Sequence, residues 1–152
     1  MQSDSPAKKW LSEVATIFFI ASFIILVLAA ILVPDFTYVR NHAHMEESWI
    51  YLNLIGRATL HYEKDHHNKY PSADSMDHFK LALISYLPKQ SGRDIFIEPG
   101  VGVPYALNGA LSNQDVSSQG DPSHVVIAHE IVPPWKGVLH ALYGDGSVRV
   151  CN

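Results

Sequence analysis

Histidine is the side chain in this sequence best suited to chemistry, and it occurs nine times, as His42, His44, His61, His66, His67, His78, His124, His129 and His140. Imidazoles bind zinc and similar metals when three or four ligands converge, and such convergence leaves recognisable spacings. Neither H-E-x-x-H nor a Cys-x-x-Cys pair is present, and a single cysteine, Cys151, excludes c-type haem attachment and an internal disulfide. His61 and His66 are spaced poorly for one helical face, while His42 and His44 point to different faces. Asp65, His66 and His67 form the one compact group, at the point where a helix is expected to end. Solvated imidazoles, favoured by the negative helix terminus, account for them without a bound metal or cofactor.

Other constellations are weaker. Ser117-Ser118, His129-Glu130 and Asp145 supply the side chains of a hydrolase, but no Gly-x-Ser-x-Gly elbow accompanies them, and Asp145 is explained by a turn. Gly100, Gly102 and Pro104 make a bend without a phosphate-binding motif. Asp115 and Asp121 offer oxygens to a calcium ion, yet two carboxylates in the polar stretch Ser112 to Ser123 are ordinary loop composition. No catalytic set is therefore expected. The formal net charge of −4, with no basic run longer than Lys8-Lys9, excludes nucleic acid as a partner.

The elements that would position these groups begin with an uncharged run, Val14 to Val33 (VATIFFIASFIILVLAAILV). As a helix it covers roughly 30 Å, the thickness of a bilayer's hydrocarbon core, and satisfies its own backbone there. A cleaved signal has a shorter apolar region and a small-residue junction, whereas this run ends in Leu-Val-Pro-Asp, so a retained anchor in contact with lipid is expected. Lys8 and Lys9 precede the span, against Asp35 and Arg40 after it. The N-terminus is then cytoplasmic and the remainder exported, from a single pass through the inner (cytoplasmic) membrane. Trp10 on one side, with Phe36 and Tyr38 on the other, suits the two interfacial belts.

Beyond the span, Met45, Trp49, Leu52, Ile55, Thr59 and Tyr62 draw one apolar stripe along a helix. One helix is thus expected from Ser12 to His66, kinked at Pro34 and stopped at Asn68-Lys69-Tyr70-Pro71. A second is expected from Met76 to Leu87, capped by Asp74 or Ser75 and closed by Pro88. Strands follow at Asp94 to Ile97, Tyr105 to Leu107 and His124 to Ala128. Val138 to Tyr143 and Ser147 to Cys151 then form a hairpin about Gly144-Asp145-Gly146, because an Asp-Gly step accepts the positive φ that the turn needs. Cys151 serves as a small apolar residue at the end of the last strand. The segmentation is a cytoplasmic head over 1–13, a transmembrane helix over 14–33, a stalk helix over 34–67 and a small globular α+β domain over 68–152.

In order along the chain, LAAILVP, YLNLIGRATLHYEKDHHNKYP, SYLP, IFIEPG, PYALNGAL, PSHVVIAHE and VLHALYGDGSVRV resemble a bacterial prepilin-type or type II secretion pseudopilin-like protein, over nearly all of residues 24 to 150. The resemblance implies a pilin-like α+β fold, in which a long N-terminal helix, transmembrane and then an amphipathic stalk, is packed by a small antiparallel sheet. It further implies a structural subunit or accessory component of a cell-envelope secretion or pilus system, with no enzymatic activity, partnered by other pilin-like subunits or secretion components. Glu13 corresponds to the assembly glutamate of processed relatives, and Pro34 to the proline that follows their apolar segment. Lys8-Lys9-Trp10 stands where a processed member has its leader glycine, so no peptidase cut is expected. Trp135 stands where many members of the branch have a histidine. Two alternatives remain open: an unprocessed envelope protein with a pilin-like binding or sensing domain, and a metal-dependent envelope enzyme using His66 and His67.

Overall fold

In a computed structural model, residues 6–89, 94–132 and 137–151 are described. Helix α1, Pro6–Asp65, keeps its helical backbone across Pro34; the side chains of Lys8, Lys9 and Pro34 lie outside the described ones, as does the whole of Trp135. Helix α2 is Met76–Leu83, and the strands are β1 (Ala106–Leu107), β2 (Val126–His129), β3 (Leu139–Tyr143) and β4 (Val148–Cys151). The class is α+β. Two compact units divide the chain, 1–40 and 41–152.

In the first unit, the side chains from Ala15 to Ile31 are exposed all round the helix. The most apolar 18-residue window of α1 has a mean hydropathy of 3.0, and none of it is buried. By length and composition this helix can cross a membrane.

In the second unit, α1 buries Ser48, Tyr51, Leu52, Ile55, Ala58, Thr59 and Glu63, each three or four residues from another of the set, so that they share one face. Leu52, Ile55 and Thr59 of the stripe read in the sequence lie on that face and Tyr62 packs against the core, whereas Trp49 is 48% exposed. Gly56 lies where the sheet meets the helix. A Cβ there would lie 2.7 Å from Leu142 Cδ1 and 3.0 Å from the Gly146 carbonyl, so the glycine lets β3 and the hairpin turn approach the helix closely. Trp49 lies at the rim of the contact.

Helix α2 starts at Ser75, whose Oγ accepts the His78 N–H at 3.2 Å, and buries Phe79 and Leu83. It ends one turn earlier than the sequence pattern suggested, and a Tyr86 N–H to Leu83 carbonyl bond of 2.9 Å tightens the exit. The core joins these residues to Tyr70, Phe96, Tyr105, Ile127 and Leu142.

The sheet is antiparallel in the order β1-β2-β3-β4. Asp94 to Ile97, expected as a strand, is a turn with a single bridge from Ile97 to Pro104, because Asp94 Oδ1 accepts the Phe96 N–H at 3.1 Å and curls the backbone. Likewise His124 and Val125 do not join β2. Asp121 Oδ1 takes the Ser123 N–H at 2.9 Å and sets a 3₁₀ turn over Pro122–His124. Asp115 does the same for Val116–Gln119, so the polar loop is ordered by its own carboxylates. The β3–β4 hairpin closes with Asp145 Oδ1 accepting the Ser147 N–H at 2.9 Å and Gly146 at φ +79.

Candidate functional site

The residues singled out in the sequence do not assemble into one site. Glu13 is exposed on α1, and Pro34 lies within that helix. Asp145 is engaged by Ser147 and by Arg149, whose Nη2 lies 2.8 Å from Oδ2. His66 and His67 are exposed beyond the end of α1, with the His66 ring edge-on to Tyr62. Among the described residues, no three His, Cys, Asp or Glu side chains come together as a metal site. Ser117 is bound to Asp115, and His129 Nδ1 lies 2.7 Å from the Glu130 carbonyl, so the hydrolase side chains are each taken up locally.

A different constellation forms between α1 and the sheet. The β2–β3 register, with His129 opposite Ala141, continues one step to place Glu130 beside His140. The Glu130 N–H donates to the His140 carbonyl at 3.1 Å, and the His140 N–H donates to Glu130 Oε2 at 2.6 Å. His140 Nδ1 lies 3.2 Å from Oε2 and 3.3 Å from Oε1. Ser48 on α1 donates its hydroxyl to Glu130 Oε1 and lies 3.0 Å from the Tyr105 hydroxyl. With the Ser48 proton committed to the carboxylate, Tyr105 is the donor to Ser48. The relay therefore runs from Tyr105 through Ser48 to Glu130, with His140 entering from the other side. Ser48, Tyr105, Glu130 and His140 are all buried.

Burial pushes the Tyr105 hydroxyl well above its ordinary range; the Ser48 hydrogen bond opposes this, and the charges of Glu130 and Glu98 add to it. Glu98 is also raised by burial, against the Ile131 N–H that donates to its Oε1 at 2.5 Å. Its other oxygen is buried without a hydrogen-bond partner.

This arrangement is not a nucleophile and base. The Ser48 hydroxyl faces a carboxylate acceptor instead of the imidazole, and Ser48 is buried. What it does is join helix to sheet, satisfying in one network groups that would each be costly if left alone.

Two of the concavities among the described residues lie on the globular unit, and one of them includes His140. One, of about 450 Å³, is lined by His44, Glu47, Tyr51, Asp94 and Glu98 among others. The other, of about 370 Å³, is formed by Met45, Glu46, Trp49, Ile50 and His140.

The sequence carries a signal for Glu130 and His140 that lies in strand alternation and not in any motif spacing. Strand side chains alternate between faces, so stepping two residues from Ala128 and from Leu142 reaches Glu130 and His140 on the face toward α1. No family model, curated protein or solved structure matches the chain.

Proposed function

We propose that this chain is a pilin-like structural subunit, or accessory component, of a bacterial cell-envelope secretion or pilus system. It is held in the inner membrane by α1, with the N-terminus cytoplasmic and the globular unit exported. The observation that carries this reading is the division of labour along α1. Its apolar stretch is exposed all round, as lipid or neighbouring helices require, and its later turns form the core of an antiparallel α+β unit. A scaffold suits the polar chemistry, since the turn carboxylates and the buried relay are occupied in holding the fold. Lys8 and Lys9 ahead of the apolar run support the orientation.

The reading is tested by purifying the full chain from native membranes in mild detergent. Co-elution with pilin-like or secretion-system subunits is expected, and a chain that always elutes alone would overturn it. The ligand-sized groove beside His140 favours a second reading, an unprocessed single-pass envelope protein whose exported unit binds or senses a ligand. Under that reading the protein would elute alone and respond to a small molecule.

A further inference from the structure

We infer that the groove formed by Met45, Glu46, Trp49, Ile50 and His140 is a binding site for a small molecule with an apolar body and a protonated amine. At about 370 Å³ the groove is in the range of small-molecule sites, and like them it has mostly apolar walls and few polar groups. Trp49 and Ile50 are half exposed on the rim, where a ring or short aliphatic chain would cover them.

The His140 ring is more than nine-tenths buried and lines the groove. Its Nδ1 is turned to Glu130, and Nε2 has no protein partner among the described residues. Nδ1 lies 3.2 and 3.3 Å from carboxylate oxygens that only accept, so it carries the proton there, because a bare Nδ1 would set its lone pair against theirs. In the neutral ring, Nε2 then offers a lone pair to whatever occupies the groove. The relay through Ser48 and Tyr105 keeps the ring in that orientation.

Charge selects among the possible donors. Glu46 lies on the groove wall, 3.7 Å from His42 Nδ1, and Glu130 lies behind the imidazole. No lysine or arginine among the described residues lines the groove. An anionic headgroup would meet the Glu46 carboxylate, with the Glu130 carboxylate buried behind the imidazole, whereas an ammonium group can pair with Glu46, donate to Nε2 and lie against the Trp49 ring.

The test uses the full chain in lipid nanodiscs with ¹⁵N-labelled tryptophan, following the Trp49 indole N–H assigned from Trp49→Phe. Phenethylamine, 2-phenylethanol and phenylacetate share one apolar body and differ in headgroup. A saturable Trp49 shift is expected with phenethylamine, weaker binding with the alcohol, and binding at least about tenfold weaker with phenylacetate. Glu46→Gln, on an exposed side chain, should weaken the amine by about threefold and leave the alcohol unchanged. His140→Phe should weaken both amine and alcohol; if that variant fails to fold, Ile50→Ala, which should weaken both at a half-exposed groove residue and leaves the Trp49 reporter in place, is used instead. Phenylacetate binding as well as the amine, a non-saturating shift, or an amine affinity indifferent to Glu46→Gln would each overturn the assignment.

Discussion

Glu63 makes the stability of the globular unit depend on pH in a direction opposite to that of most carboxylates. It sits near the end of α1, only 6% exposed, and its Oε1 has no hydrogen-bond partner. Burial raises its pKa from 4.5 to about 7. Tyr70 belongs to the same pocket of unsatisfied groups: its hydroxyl is buried without a partner and is pushed up by burial and then by the Glu63 charge. Between pH 4.5 and 7 the folded state holds a proton that the unfolded chain releases, so stability falls as pH rises through that window and levels off above it. The gap corresponds to roughly 3 kcal/mol at most, and about 2 kcal/mol once the site relaxes around the charge. Glu63→Gln removes the ionisation. The variant should be about 2 kcal/mol more stable than the parent at pH 8 and within about 1 kcal/mol of it at pH 5. Urea unfolding of both proteins across pH 5 to 8, in the same detergent, measures this, and the difference between them cancels the histidines and Glu98. The carboxylates held low by their turns, Asp115, Asp121 and Asp145, lose their contribution only at more acid pH. A difference that is flat across the window, or one that grows toward low pH, would refute the reasoning.

Gly146→Val should cost at least about 1–2 kcal/mol from the positive φ alone, and more because a Cβ would lie 2.6 Å from Leu60 Cδ1; thermal unfolding checks it. Leu52→Asp places an unpaired charge at a fully buried position on α1 and should cost several kcal/mol, read as a collapse of the melting transition. Trp49→Ala, at the rim, should change stability by less than about 1 kcal/mol in the same assay. His66→Gln with His67→Gln should leave the melting temperature nearly unchanged and release no zinc on elemental analysis, because both side chains are exposed.

The long helix and the terminal hairpin were legible in the sequence because each rests on local rules. A twenty-residue apolar run, a 3.6-residue period and an Asp-Gly step need no knowledge of distant partners. The apolar stripe was read as running through Trp49, while the structure turns that side chain to the rim. Which residue falls at the rim depends on how the sheet lies on the helix, and the close approach of Leu142 to Gly56 is not a property of the helix's own pattern. Asp94 to Ile97 and His124-Val125 looked like strands by composition, but aspartates two residues before the key N–H groups bent the backbone instead. The Ser48–Glu130–His140 relay was hidden for a further reason. Its members are 82 and 10 residues apart in sequence and converge only when β2 and β3 are paired and α1 is laid across them. Strand alternation placed Glu130 and His140 on one face, yet nothing local identified Ser48 as the third member.

The proposal that α1 is a lipid- and subunit-facing anchor is tested most directly by replacing Phe19, an exposed residue in the apolar stretch, with a photo-crosslinking amino acid in the full chain in native membranes. Irradiation should give adducts with a second copy or with a pilin-like subunit, alongside lipid adducts, while the same residue placed at the buried Leu83 should give none. Crosslinks only to soluble proteins, or a product released from the membrane by alkaline carbonate, would contradict the account.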